Sequence, residues 1–202
     1  MSAWLYDRLQ DTWYGEPSRG RWLQPCAWLF FGIAGARRAL YRCRLLRSYR
    51  SSRPVIVVGN LTVGGTGKTP FVIWLARQLA ARGLKVGIVS RGYRGAGGPA
   101  RLVTRDDTAA TAGDEPLLLF QRLGRPVAIG ARRSEAVRLL ERDCDVILCD
   151  DGLQHYALAR DVEVAVVDGE RRFGNGRLLP AGPQPLPVHL RVDAAGEGVL
   201  SG

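Results

Sequence analysis

Apolar residues in the middle of the chain fall in short continuous runs rather than in strict alternation with polar ones. Val55–Gly59 (VIVVG), Lys85–Ser90 (KVGIVS), Pro126–Ile129 (PVAI), Val146–Asp150 (VILCD) and Val162–Asp168 (VEVAVVD) are such runs, the pattern of strands buried on both faces. Between them, Pro70–Arg82, Glu115–Leu123 and Arg132–Arg142 place apolar residues at helical spacing. Strands alternating with helices predict a doubly wound α/β fold, a mostly parallel sheet with helices on both faces. Ligands of such sheets gather at the carboxyl ends of the strands.

The first quarter of the chain reads differently. Cys26–Ala36 (CAWLFFGIAGA) is uncharged and mostly apolar, but as a helix it would extend only ~17 Å against a hydrocarbon core of ~30 Å. It is not expected to cross a bilayer. Arg37–Arg53 (RRALYRCRLLRSYRSSR) follows, with seven arginines set among Leu40, Tyr41, Leu45, Leu46 and Tyr49. Such a basic amphipathic stretch suits an anionic membrane surface, and equally a surface helix whose apolar stripe docks on the next domain. Trp4, Trp13, Trp22 and Trp28 favour the membrane interface, where tryptophan concentrates. A signal peptide would carry its cations ahead of the apolar run, whereas here they follow it, so export is not expected.

Charge sharpens this division. The chain has 202 residues and a formal net charge of +10, yet Pro17–Arg105 holds no Asp or Glu and 17 Lys or Arg. Asp106–Gly202 is mildly acidic, with 16 acids against 11 Arg. No aromatic RNA-binding signature, zinc-finger spacing or basic zipper accompanies the excess, so nucleic acid is not an expected partner. Cys26, Cys43, Cys144 and Cys149 form no C-x-x-C pair, and only His155 and His189 are present. These cysteines read as idle thiols rather than a metal or disulfide framework.

Candidate chemistry begins where Val55–Gly59 ends. The stretch Thr62-Val63-Gly64-Gly65-Thr66-Gly67-Lys68-Thr69 lies between a predicted strand and a predicted helix, the context that a phosphate-binding loop requires. Its glycines let backbone N–H groups close around phosphates. Lys68 is then placed for the β- and γ-phosphates of ATP and the Thr69 hydroxyl for Mg²⁺. Thr62 stands where the pattern G-x-x-x-x-G-K-S/T has glycine. Partition-type ATPases carry a lysine at the position of Val63, which disfavours an ATPase switch of that kind.

Asp150 closes an apolar run and Asp151 follows it. Beside a phosphate loop, the first reads as a carboxylate for Mg²⁺, and a second carboxylate next to it is tolerable when a cation offsets the repulsion. Asp114, just before Glu115 and Pro116, reads from its position as a helix N-cap.

Taken in order, V-G-N-L-T-V-G-G-T-G-K-T-P (Val58–Pro70), S-R-G-Y (Ser90–Tyr93), A-G-D-E-P (Ala112–Pro116), D-D-G-L-Q-H (Asp150–His155), R-R-F-G-N-G (Arg171–Gly176) and L-P-A-G-P (Leu179–Pro183) resemble tetraacyldisaccharide 4'-kinase, the lipid A kinase of Gram-negative bacteria. The resemblance runs from about Arg53 to Pro183. It implies a P-loop kinase that moves the γ-phosphate of ATP to the 4'-hydroxyl of a tetraacylated glucosamine disaccharide 1-phosphate, peripherally bound at the cytoplasmic face of the inner membrane. It also implies that Lys68 and Thr69 serve the phosphates and Mg²⁺, that Asp150 and Asp151 sit at the metal and reacting phosphate, and that Gln154 and His155 line the site. Asp114 becomes the group that accepts or orients the 4'-hydroxyl proton, with Glu115 alongside at the metal.

After Pro183 the family continues L-R-E-P, whose Arg and Glu belong to the active site, and then a second lobe with a further histidine. Here Gln184-Pro185-Leu186-Pro187 follows, and His189 lies in no matched motif. The expected organisation is a membrane-contacting helical segment over 1–52, a P-loop kinase domain over 53–183 and a divergent tail over 184–202. The alternatives are a catalytically deficient, membrane-associated module that binds ATP and, against the residue at Val63, an ATPase switch of the partition type.

Overall fold

A computed structural model describes Trp13, 23–60, 67–92, 99–167, Pro180, Ala181, Pro183, 190–192 and 198–200. In chain order the elements are α1 (Gln24–Arg42), β1 (Val55–Asn60), α2 (Lys68–Ala81), β2 (Val86–Ser90), β3 (Arg101–Leu102), α3 (Ala109–Ala112), α4 (Asp114–Leu123), β4 (Val127–Ile129), α5 (Arg133–Leu140), β5 (Val146–Asp150), β6 (Val162–Val166), β7 (Leu190–Val192) and β8 (Gly198–Leu200). The segment Arg44–Gly59 together with Gly67–Val164 makes one compact unit, while α1 and the antiparallel β7–β8 pair belong to another.

The continuous apolar runs form a six-stranded sheet in the order β3-β4-β2-β5-β1-β6. The β1–β5, β5–β2 and β2–β4 pairs are parallel, and β3 runs antiparallel to its neighbour β4. Every residue of β2, β4 and β5 is buried, which is why those strands read as unbroken runs. Helix α5 packs on β2 and β4, and α2 and α4 pack on each other as well as on the sheet. The register Val57 to Cys149 and Val58 to Asp150 sets the ends of β1 and β5 side by side. The loop after β1 and the acidic pair after β5 therefore emerge together.

Two expectations change. Val162–Asp168 reads as a buried strand, yet β6 is the sheet's outer strand beside β1 and Val162 is 48% exposed. Edge strands lack cover on their open side, and Glu163 within it pairs with Arg160 at 2.9 Å. Nor is Arg37–Arg53 a single amphipathic segment. Helix α1 stops at Arg42, where the Cys43 N–H caps the Ala39 carbonyl at 2.8 Å. Beyond it Tyr49 pairs with the Leu158 region, exchanging backbone bonds of 2.8 Å with Ala157 and Ala159. Its hydroxyl donates to Glu141, and the Arg138 guanidinium lies 4.4 Å from its ring centroid. Arg50 and Arg53 bind Asp161 and the Glu141 carbonyl. This part of the basic stretch docks on the sheet unit.

Within the other unit, α1 leaves Trp28 and Leu29 each 67% exposed, and Phe31 and Ile33 are exposed with them. Trp13 does the opposite. It is buried, and its indole N–H donates to the Pro180 carbonyl at 3.0 Å, so it does not face a membrane. Trp4 and Trp22 lie outside the described residues. Among the described residues no helix is long and apolar enough to cross a membrane.

Candidate functional site

The site grows from the parallel register of β1 and β5. Of the expected phosphate loop, Thr62, Val63, Gly64, Gly65 and Thr66 lie outside the described residues. Gly67 is the N-cap of α2, with φ 74° and ψ 22°, a left-handed conformation that a side chain would strain. Lys68 and Thr69 are the first two helical residues, so the unbonded N–H groups of the first turn accompany their side chains, and a helix start of this kind favours an anion.

Opposite them, Asp150 is the last residue of β5 and is 1% exposed, with neither carboxylate oxygen hydrogen-bonded. Burial, followed by the nearby Glu115 and Asp151 carboxylates, pushes its acid up to about 7 despite the Lys68 and Arg133 cations. Asp151 adopts φ 55°, a conformation that aspartate tolerates better than most side chains, and it pairs with Lys68 Nζ at 2.7 Å. The Thr69 hydroxyl donates to Glu115 Oε1 at 2.6 Å. Lys68, Thr69, Glu115, Asp150 and Asp151 are thus brought to one place.

A divalent cation fits this donor set. Two buried carboxylate oxygens lack a partner, and a hydroxyl and a second carboxylate stand beside them. Among the described residues no cluster of three or more His, Cys, Asp or Glu could by itself hold a metal. Mg²⁺ is a cation that takes one or two carboxylates and completes its shell with phosphates and water.

Asp114 is not a helix N-cap. Gly113, at φ 96° and ψ 153°, holds that position, and Asp114 is the exposed first residue of α4, next to Glu115. Its carboxylate makes no capping bond. Gln154 and His155 lie on the loop leaving Asp151. Gln154 is exposed, and the His155 N–H closes a turn on the Gly152 carbonyl at 2.9 Å.

That loop is held tightly from below. A Cβ on Gly152 would come within 2.9 Å of Val57 Cγ1, and one on Gly59 within 2.7 Å of Leu153 Cγ. Two arginines that the sequence reading did not single out complete the support. Arg160 Nη1 donates to the Gly152 and Leu153 carbonyls at 3.3 and 2.9 Å. Arg133, 3% exposed, donates to the Gly130 and Asp150 carbonyls at 3.0 and 3.4 Å, and burial lowers its pKa. Its charge offsets that of the acidic pair. Cys149, beneath the same strand end, is fully buried with its thiol pushed up to about 12, so it offers no nucleophile.

The family described as LpxK, tetraacyldisaccharide-1-P 4'-kinase, matches residues 19–195. The chain belongs to this family. The match reaches beyond Arg53–Pro183 at both ends, taking in much of the amino-terminal segment and part of the tail. A tetraacyldisaccharide 4'-kinase of Methylobacillus flagellatus is 53% identical over 190 residues, covering 93% of this chain and 56% of the relative. One from Aeromonas hydrophila is 55% identical over 193 residues, covering 92% and 57%. The crystal structure of Aquifex aeolicus LpxK in complex with ATP superposes with a TM-score of 0.72 at 34% identity, covering 83% of this chain and 54% of that one. The chain therefore spans somewhat over half the length of these family members.

Proposed function

We propose that the protein transfers the γ-phosphate of ATP to the 4'-hydroxyl of a tetraacylated glucosamine disaccharide 1-phosphate. The observation that carries this reading is the convergence of Lys68 and Thr69, at the start of α2, on Asp150, Asp151 and Glu115. The names of the relatives support the same acceptor.

On this reading the first turn of α2 receives the phosphates, and Lys68 exchanges Asp151 for the β- and γ-phosphate oxygens. Thr69 and Asp150 would hold Mg²⁺, with Asp151 and Glu115 beside them, and the bound ion would supply neutralisation of the phosphate charge. Asp114 takes the proton of the 4'-hydroxyl as the new O–P bond forms and the bond to the β-phosphate oxygen breaks, leaving ADP. Gln154 and His155 line the nucleotide side. Arg133 and Arg160 hold the backbone of the acidic loop so that these carboxylates are in position before the nucleotide arrives.

The exposed apolar face of α1, with Arg37, Arg38 and Arg42 at its end, supports peripheral attachment at an anionic cytoplasmic membrane face. We assign 1–52 to an amino-terminal segment that meets the membrane through the exposed face of α1, 53–183 to the kinase domain and 184–202 to the tail; Tyr49 and Arg50, at the end of the first segment, dock on the sheet unit instead. A second reading, ATP binding without transfer, is favoured by Pro185 and Leu186, which stand where the family carries its Arg–Glu pair.

The test is incubation with γ-labelled ATP, Mg²⁺ and the lipid disaccharide. Label should enter the lipid, and Asp114→Ala should abolish this while leaving ATP binding intact. Lipid labelling at the wild-type rate by Asp114→Ala would remove that residue from the reaction. Tight ATP binding with no labelled lipid would favour the second reading.

A further inference from the structure

A groove of about 600 Å³ runs between α2 and α4. Thr69 lines it at the start of α2, Ile73, Trp74 and Leu118 line it farther along, and Arg77 and Arg122 line it one turn beyond. Trp74 is 54% and Leu118 38% exposed, an uncovered apolar wall of the kind that marks a binding surface. Phe71 steadies the indole, with ring centroids 5.6 Å apart. Arg77 Nη2 donates to the Arg122 carbonyl at 3.5 Å, which fixes one guanidinium at the far end. Thr69 to Arg77 is two helical turns, ~12 Å. Among the described residues no carboxylate lines the groove, and α2 contains none.

The groove is thus apolar along its walls, cationic at one end, and lined at the other end by Thr69, whose hydroxyl meets Glu115 beside Asp114. We infer that it is the subsite for the lipid part of the phosphorylated acceptor. An acyl chain lies between Trp74 and Leu118, and an anionic group of the same molecule is met by Arg77 and Arg122. Continuity with the phosphate end commits the groove to the acceptor rather than to bulk membrane lipid. The inference rests on the kinase reading given above.

The experiment uses the full chain and phosphatidylcholine vesicles doped at matched charge with either the tetraacyldisaccharide 1-phosphate or phosphatidylglycerol. Binding is read by sedimentation, and the thermal shift on adding ATP reports an intact sheet unit. Arg77→Glu/Arg122→Glu should need about tenfold or more of the disaccharide lipid for half-binding, each surface cation being worth ~1 kcal/mol. Its phosphatidylglycerol binding should barely change, because α1 and its arginines remain. Trp74→Ser, at an exposed position, should weaken disaccharide binding in the same selective way, and it carries the comparison alone if the double variant loses its ATP shift. Unchanged disaccharide binding overturns the subsite. Equal loss on both vesicle types means general contact with anionic lipid and also overturns it. A wild type that does not distinguish the two vesicles overturns the acceptor reading itself.

Discussion

Replacing Asp150 with Asn should stabilise the nucleotide-free protein, and do so more at alkaline than at acidic pH. The carboxyl is 1% exposed and lacks a hydrogen-bond partner, so the fold favours its protonated form. Its acid is raised from 3.8 to about 7 by burial and by Glu115 and Asp151. For a carboxyl raised in this direction, the contribution to stability is full below the unfolded value near 3.8. It is lost as pH rises through the folded value near 7, because the unfolded chain releases the proton first. At ~1.4 kcal/mol per pKa unit, that interval sets a ceiling of about 4 kcal/mol on the cost of ionising Asp150 in the folded state. Asn imitates the protonated acid at every pH. In urea unfolding with EDTA present, the gain of Asp150→Asn over wild type should be small at pH 4, rise through pH 5 to 7 and level off above it. Mg²⁺ with ATP should recover more stability in the wild type than in the variant, since a cation relieves the same cost. A pH-independent difference, or a variant less stable than wild type at pH 8, would refute the electrostatic account of this site.

Two further substitutions test the supporting structure. Arg160→Ala removes the donor to the Gly152 and Leu153 carbonyls and the ion pair with Glu163; it should lower stability by about 1–3 kcal/mol and weaken the ATP-induced thermal shift, whereas an undiminished shift would show that the loop holds without it. Asp107→Ala breaks a two-pronged pair with Arg101 at 2.7 and 2.8 Å and the bonds from Thr104 and Thr111, at a cost of about 2–4 kcal/mol. Its acid is held well below the ordinary range, chiefly by Arg101, so the wild type's advantage should be present at neutral pH and fade as pH falls below the ordinary carboxylate range.

Much of the sheet was legible because parallel strands covered on both faces leave unbroken apolar runs, as in Val86–Ser90 and Val146–Asp150. The edges were not. Arg101–Leu102 has no run to announce it, and Val162–Val166 carries an apolar run although one side of it is uncovered. Lys68, Thr69, Asp150 and Asp151 were legible because their chemistry depends on a strand end and a helix start, and both have sequence signals. Asp114 was misread as a cap because the adjoining Gly113 can take a positive φ and fill that position itself. Arg133 escaped notice because an arginine in sequence reads as surface. Only the fold reveals it buried under an acidic pair whose charge it offsets.

The most direct measurement of the central claim is the stoichiometry of the reaction. With ATP, Mg²⁺ and the lipid disaccharide 1-phosphate, the ADP released and the phosphate gained by the lipid are counted together, and the new ester is located by ³¹P NMR. The account predicts one lipid phosphomonoester at the 4' position for each ADP. ADP accompanied by free phosphate, with the lipid unchanged, would contradict it.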